Sequence, residues 1–246
     1  MQWFKSITTM STLLLASLSW SDVGPWELQA QNEDKDIQVF TRTVGDSPLK
    51  EFKGVTHIKA DTSAFVALLE DSEAATSWMH NVLKFEVSQD VSDTEKVVYI
   101  VNKTPWPVTD RDAYTRSVMT ADAAGIVTSA LSAEPEFKAA DDDFIRMPAL
   151  EGSWKFAPQA EGVVEVTYQV HANPGGSLPD WLVNAIVVET PLNTLENLHD
   201  IIHDEKYQGK TYAFIEQAKA PQAIASEESV SEELSEEIAS ESMSAE

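Results

Sequence analysis

The sequence contains no cysteine and few basic residues. Without cysteine, the 246-residue chain can form no disulfide, no thiol nucleophile and no lipidated cysteine. Lysine and arginine number 17 against 41 aspartate and glutamate residues, which gives a formal net charge of −24. A chain this acidic repels phosphate backbones and has no general attraction to anionic membrane surfaces. We therefore expect no nucleic-acid partner.

Long apolar runs are also missing, and one short run lies near the N-terminus. It covers residues 10–18, follows the single charge of Lys5 and is succeeded by small residues. This run is shorter than the roughly 20 residues that a transmembrane helix needs. We interpret residues 1–21 as a secretory signal peptide, which predicts export across the inner membrane to the periplasm. The alternative is a buried N-terminal helix.

The C-terminal residues 217–246 differ in composition from the rest of the chain. They contain eight glutamates and one lysine but no aromatic residue and no glycine. Val230, Leu234 and Ile238 recur every four residues, which would give a helix only a narrow apolar stripe. Because such a stripe buries little and like charges repel, we predict a disordered acidic tail rather than a docking helix. Residues 22–216 then form one domain.

Local patterns predict the first elements of this domain. Pro25 suits the first turn of a short helix, which Trp26 and Leu28 would anchor. Residues 37–44 and 51–60 alternate as two paired strands around a turn.

The remaining patterns predict two short helices, a long antiparallel meander and one long helix. The short helices begin after Asp61 and at residue 72, and the meander ends with strict alternation over residues 163–172. Apolar residues at helical spacing then cover residues 181–202. Pro191 within this range is expected to kink the helix or to begin its second half. A curved sheet that wraps a single helix leaves a concave space suited to an apolar ligand.

Four motifs occur in order: "WPVTDRDAYTR", "GSWKF", "VEVTYQVHANPGG" and "SLPDWLVNAIV". Over residues 26–202 the chain resembles the START domain, the steroidogenic-acute-regulatory-related lipid-transfer domain, in its bacterial secreted form. The resemblance implies an α+β helix-grip fold, in which a curved antiparallel sheet surrounds an apolar tunnel closed by the long C-terminal helix. It also implies binding, and transfer, of a hydrophobic lipid, either a phospholipid or a sterol-like molecule, without catalysis and without a cofactor.

The resemblance and the strand patterns together suggest specific residues. The predicted tunnel-lining residues are Arg146, Trp154, Val166, Tyr168, Trp181, Ala185 and Ile186. The predicted structural motif comprises Trp106, Asp110, Arg111 and Asp112, whose charges are expected to satisfy one another and nearby backbone. Each of Trp106, Trp154 and Trp181 suits either a tunnel wall or the core. Pro191 and the pair Gly175 and Gly176 are candidate hinges of a lid. The expected partners are a lipid and, transiently, a membrane, and the chain is expected to be a monomer.

One position departs from the family pattern. Many members have an arginine at the position of Ser117, whereas the arginine of this chain is Arg116, which a regular strand directs to the opposite face. The buried ion pair of some relatives is therefore not expected here. Arg146 is a possible substitute for the family's tunnel-facing arginine. In a regular strand it would face the same side as Trp154, unless Pro148 between them breaks the register.

Other constellations are incomplete. His199 and His203 stand four apart, as in zinc sites, but no third ligand is evident. The aspartates at 141–143 suit a solvated turn better than a calcium site. We therefore predict no metal, and no nucleophile or nucleotide motif is present. Two alternatives remain open: a helix-grip cyclase or aromatase acting on a bound apolar substrate, and a scaffold whose acidic tail carries the function.

Overall fold

The computed structural model describes residues 23–220, except residues 46 and 48. The predicted signal peptide and nearly all of the predicted acidic tail lie outside these residues. Within them, ten strands form one curved sheet with helices on its concave side, which confirms the predicted α+β helix-grip class.

The strands are β1 (Glu27–Asn32), β2 (Ile37–Arg42), β3 (Glu51–Lys59), β4 (Val82–Ser92), β5 (Glu95–Asn102), β6 (Arg111–Ala121), β7 (Val127–Ala133), β8 (Ile145–Arg146), β9 (Ala149–Pro158) and β10 (Val163–Asn173). The helices are α1 (Thr62–Glu70), α2 (Ala75–Trp78), α3 (Asp180–Ile201) and α4 (Ala213–Lys219).

The sheet is open, with β1 and β4 at its two edges. Its order is β1-β2-β3-β10-β9-β7-β6-β5-β4, and neighbouring strands of this series are antiparallel. The short strand β8 lies off this path and pairs parallel with the start of β6. Because the neighbours are antiparallel, the start of β4, the end of β5, the start of β6 and the end of β10 lie at one end of the sheet. We call this the β6-start end.

The predicted alternation of β10 is confirmed. Val164, Val166 and Val170 are buried on the concave face, and Tyr168 lies between them on the same face. Helix α1 covers part of this face, where Phe65 stacks on Phe156 with ring centroids 4.9 Å apart. Each fully buried side chain of this size contributes about 1.5–3 kcal/mol to stability.

Helix α3 is continuous through Pro191 and packs against β2 and β3. Gly54 on β3 permits the close approach. A Cβ atom at this position would lie 2.7 Å from Leu195 Cδ1 and 3.2 Å from Pro191 Cβ. The absence of a side chain at residue 54 therefore sets how closely the helix lies on the sheet.

The predicted N-terminal helix is wrong, because this segment leads into the edge strand β1. Leu28 pairs with Phe40 of β2, so backbone hydrogen bonds to the neighbouring strand outweigh the local helix signals. The Trp26 ring lies beneath two cations, 4.3 Å from the Arg42 guanidinium carbon and 4.6 Å from Lys53 Nζ.

The convex face of the sheet carries a second apolar cluster behind β5 and β6. We call it the convex cluster, and it comprises Val97, Tyr99, Val101 and Tyr114 with Phe137 and Phe144 packed against them. Tyr114 is central, since its ring lies 4.8 Å from that of Tyr99 and 5.1 Å from that of Phe137. The segment between β7 and β8 thus covers the back of the two strands.

The chain continues as ordered structure after α3. Asp71 accepts hydrogen bonds from Lys206 Nζ at 2.7 Å and from the Tyr207 hydroxyl at 2.9 Å, and the lysine lowers the pKa of this carboxyl. Helix α4 follows and runs across the expected domain boundary at residue 216. No helix of the described residues combines the length and the apolar character that a membrane span requires.

Candidate functional site

An internal cavity lies between the concave face of the sheet and α3. Its volume is about 130 Å³. The wall is mainly apolar, with contributions from Phe85, Val98, Ile100, Met119, Leu131 and Leu150. Alternate residues of β6, beginning at Ala113, face the cavity because a strand directs every second side chain to the same side.

Two stacked aromatic rings form one wall of the cavity. The rings of Trp154 and Tyr168 are nearly parallel, with centroids 4.0 Å apart, and Trp78 meets Trp154 edge-on at 5.7 Å. The phenol of Tyr168 is surrounded by protein. The part of its surface that remains accessible borders the cavity. This burial raises the pKa of Tyr168 to about 12, so the hydroxyl stays protonated at neutral pH.

Three hydroxyl groups of β6 and β7 also belong to the wall. Ser117 Oγ and Ser129 Oγ are hydrogen-bonded to each other at 2.9 Å. Thr115 lies two residues before Ser117 on the same face of β6. Its Oγ1 is buried and has no hydrogen-bond partner among the described residues.

Charged groups of the wall lie at the end opposite to the β6-start end. Lys96 Nζ lies 3.8 Å from a carboxylate oxygen of Glu70 and 4.0 Å from one of Asp90. His80 borders the cavity near α3, and burial lowers the pKa of its imidazole. His80 is therefore neutral at pH 7.

The two halves of α3 are held differently. In the C-terminal half, Thr194 Oγ1 accepts the backbone N–H of His80, Asn197 Nδ2 donates to the Trp78 carbonyl at 3.0 Å, and His199 Nε2 contacts Thr56 Oγ1 at 2.8 Å. In the N-terminal half, Leu182 is buried but Trp181 is 59% exposed, and the described side chains of residues 181–190 make no hydrogen bond to the sheet or to α2. The tighter attachment therefore lies beyond Pro191.

The structure separates the predicted tunnel residues. Trp154 and Tyr168 lie together on the cavity wall, whereas Val166 is wholly buried in the core. Ala185 and Ile186 are half-buried on α3 and do not border the cavity. Trp181 is exposed and lies outside the cavity wall and the core.

The prediction that Arg146 lines the tunnel is wrong. Its guanidinium donates to both carboxylate oxygens of Asp112, at 3.0 and 2.8 Å, on the convex side of the sheet. Pro148 explains the error, since it separates β8 from β9 and breaks the register on which the comparison with Trp154 relied. Asp112 is fully buried, so Arg146 neutralises it.

The predicted charged motif is structural, but its charges do not pair with one another. Arg111 is buried and donates to the carbonyls of Pro174 at 3.4 Å, Gly175 at 3.3 Å and Thr109. Asp110 accepts the backbone N–H of Thr104 at 2.7 Å. The motif therefore joins the loop before β6 to the turn before α3.

Trp106 precedes this motif but lies in neither the core nor the cavity wall. Its side chain is 92% exposed. The prediction that it fills one of these places is therefore wrong, and its loop position at the β6-start end leaves it free to contact another surface.

Arg116 and Ser117 lie on opposite faces of β6. Ser117 borders the cavity, and Arg116 lies on the convex face, where it pairs with Glu95 and, at 2.5 Å, with Glu134. The expectation that Arg116 faces away from the tunnel is confirmed. Lys96, directly opposite Ser117 on β5, was missed, because a single lysine in an apolar strand resembles a solvent-exposed residue.

The candidate metal ligands form no metal site. Among the described residues, no group of three or more histidine, aspartate or glutamate side chains is arranged to hold a metal ion. His199 contacts Thr56, and the Asp141 carboxylate accepts the backbone N–H of Asp143 at 3.0 Å, as in a polar turn.

Fold and site together define a hollow helix-grip protein, in which a curved sheet, α3 and the segment from the end of α1 to His80 surround an apolar cavity. A sequence model of the START domain matches residues 12–203. The chain belongs to the START domain family.

Two relatives are similar to this chain over most of its length. An uncharacterised protein of Pseudomonas aeruginosa is 39% identical over 173 residues, covering 70% of this chain and 84% of that protein. A STAR-related lipid transfer protein of Xanthomonas axonopodis, known as a crystal structure, is 38% identical with a TM-score of 0.66. The match covers 72% of this chain and 98% of that one. Human StAR-related lipid transfer protein 5 shares the fold, with a TM-score of 0.65 at 16% identity over 72% of this chain and 86% of that one.

Proposed function

We propose that this protein binds a lipid in the internal cavity and transfers it between membranes. The observation that carries the proposal is the mainly apolar cavity between the sheet and α3. The START family and the relative named as a lipid transfer protein support it. Each methylene group removed from water contributes about 0.8 kcal/mol, so an acyl chain would be held strongly and would escape slowly.

Loading requires the cavity to widen. Its volume of about 130 Å³ is close to that of an engineered cavity of about 150 Å³ that holds one benzene molecule, which is much smaller than a lipid. The N-terminal half of α3, which reaches the cavity at Thr190, is the element best suited to move, because the hydrogen bonds described above hold the other half. Pro191 and the turn at Gly175 and Gly176 would be its hinges.

Transient membrane contact would occur at the β6-start end. Trp106, Trp181 and Leu83, which are 92%, 59% and 51% exposed, belong to loops and element ends located there. Tryptophan favours the membrane interface, where its ring is apolar and its N–H remains hydrated. The negative net charge requires this contact to rest on apolar insertion rather than on attraction to anionic lipids.

We propose binding rather than catalysis. General acid–base chemistry needs groups that gain and lose protons near the working pH. Tyr168, with a pKa of about 12, stays protonated at neutral pH and is therefore unable to act as a base. A lipid recovered after prolonged incubation should have an unchanged mass, and any turnover would favour the cyclase or aromatase alternative.

The proposed cellular location rests on the composition of residues 1–21. We propose that a signal peptide directs the protein to the periplasm, where it acts as a monomer. Fractionation of the native host, with mass determination of the mature N-terminus, tests the location. Light scattering of the purified protein should give the mass of one chain.

The decisive test of the function is lipid extraction from protein purified from its native host. Mass spectrometry should find a bound lipid. Leu131→Trp, which fills the cavity, should abolish binding, whereas Ala130→Trp on the exposed face of the same strand should not. A bare chain in native mass spectrometry, together with no uptake of neutral or charged fluorescent lipids, would refute the proposal.

A further inference from the structure

The charges on the cavity wall are already balanced. Among the described residues that border the cavity, the ones charged at pH 7 are Glu70 and Lys96. Lys96 Nζ lies within 4.0 Å of carboxylate oxygens of both Glu70 and Asp90. This single cation therefore faces two anions, and the wall offers no unneutralised positive charge to an anionic head group.

The arginines near the wall do not border the cavity. Arg111 lies on the same face of β6 as Ala113, but it is buried beyond the cavity and its guanidinium donates to the carbonyls of Thr109, Pro174 and Gly175. Arg116 and Arg146 are both directed to the convex face, where Glu95, Glu134 and Asp112 neutralise them. An ion transferred from water into a cavity without an opposite charge loses its hydration without compensation. A phosphate or carboxylate inside this cavity would therefore be disfavoured.

Neutral hydrogen-bonding groups are present on the same wall. Thr115 Oγ1 is buried and has no partner among the described residues. The Ser117–Ser129 pair uses one hydroxyl hydrogen for its mutual bond and leaves the other able to donate. These three side chains lie on neighbouring strands, since Ser129 of β7 is opposite Met119, two residues beyond Ser117. A buried polar group without a partner destabilises the protein until a ligand or neighbour pairs with it.

From these observations we propose that the cavity selects a neutral lipid, whose hydroxyl or carbonyl oxygen hydrogen-bonds to Thr115, Ser117 and Ser129. The inference rests on the lipid binding proposed above and specifies the head-group chemistry of the same site. Thr115 and one serine of the pair can donate to a carbonyl, and all three hydroxyl oxygens can accept from an alcohol. An anionic lipid would bring a charge that this wall does not neutralise.

The test compares three ligands that share one oleoyl chain: the monoglyceride, oleate and lysophosphatidate. Equilibrium binding to the mature protein is measured below the micelle concentration of each lipid. The monoglyceride should bind at least about tenfold more tightly than either anion. Thr115→Val and the double variant Ser117→Ala with Ser129→Ala should each weaken monoglyceride binding about 3- to 10-fold, and should leave oleate binding unchanged.

Matched controls are available on the opposite face of the same strands. Thr120 of β6 and Ser132 of β7 are exposed there, so Thr120→Val and Ser132→Ala should not affect binding. Thr115→Val preserves the side-chain shape, and thermal melting should show that it folds normally. Binding of the anions as tight as that of the monoglyceride, or monoglyceride binding unaffected by the cavity variants, would overturn the inference while leaving lipid binding intact. If none of the three lipids binds and no apolar probe enters, the proposed function itself fails.

Discussion

At the scale of single residues, Arg111 connects two loops through hydrogen bonds to their backbone carbonyls. Its buried guanidinium donates to carbonyls on two separate loops, one before β6 and one before α3. Its side chain therefore links the loop that carries Trp106 to the turn that leads into the candidate lid. Backbone carbonyls without partners in a buried site are costly, so this link is expected to matter mainly for stability.

We predict that Arg111→Ala lowers the free energy of unfolding by about 2–4 kcal/mol, because several buried carbonyls lose their donor. Urea unfolding measures this change. The spectrum of lipids recovered from the folded fraction should remain that of the wild type. Arg116→Ala is the control, since its ion pairs lie on the surface and should contribute little. Normal stability with altered lipid choice in Arg111→Ala would show that the motif belongs to the site.

The sequence predicts residue positions well where one regular strand continues. Alternation along β10 placed Tyr168 on the concave face, and the offset of Arg116 placed this residue outside the cavity. Prediction failed for Arg146, because a proline between two short strands resets the register. It missed Lys96 and Thr115, whose meaning depends on partners from strands distant in sequence.

At the scale of elements, α3 is one helix with a proline inside it. Pro191 supplies no backbone N–H, so the carbonyl of Val187 lacks its usual helical donor. The helix is thus weakened just before the half that hydrogen bonds attach to the sheet and α2. This arrangement suits a helix whose first half lifts while its second half stays in place.

We predict that Pro191→Ala raises the free energy of unfolding by about 1–2 kcal/mol and slows lipid uptake. The restored helical hydrogen bond would favour a straight, closed helix. Urea unfolding and stopped-flow uptake of a fluorescent lipid measure the two effects. Glu189→Ala, at an exposed position of the same helix, should change neither. Faster uptake by Pro191→Ala would contradict the role of Pro191 as a hinge.

Element types were predictable where the periodicity was long, as in α3 and the meander. The segment around Trp26 was not, because its helix signals are local and its actual partners are on β2 and β3. Edge strands depend on such neighbours for their hydrogen bonds, and a single sequence does not reveal those neighbours.

At the scale of the whole molecule, the exposed apolar side chains and the net charge have opposite effects on membrane binding. The net charge of −24 disfavours anionic surfaces, whereas Trp106 and Trp181 at the β6-start end favour insertion into a lipid interface. Membrane contact would then orient the molecule with the start of α3 towards the bilayer.

We predict that the protein binds neutral phosphatidylcholine vesicles and binds more weakly as phosphatidylglycerol is added. Trp106→Ala should weaken vesicle binding about tenfold, because a large ring no longer inserts, and Trp106→Ala with Trp181→Ala should weaken it further. Vesicle sedimentation measures both effects. Val91→Ala removes an exposed apolar side chain at the opposite end and should have no effect. Binding that strengthens with anionic lipid would contradict this orientation.

The convex cluster affects which positions of β5 and β6 can be substituted during evolution. Tyr99, Tyr114 and the Asp112–Arg146 pair secure β5 and β6 from behind, so the two strands do not depend only on their concave side for stability. Positions of these strands that border the cavity but lie outside the main core, such as Ser117, are therefore more open to substitution than Met119, which packs in that core. A lineage can acquire new ligands by exchanging a few inward-facing side chains, while the layer behind them preserves the shape of the wall.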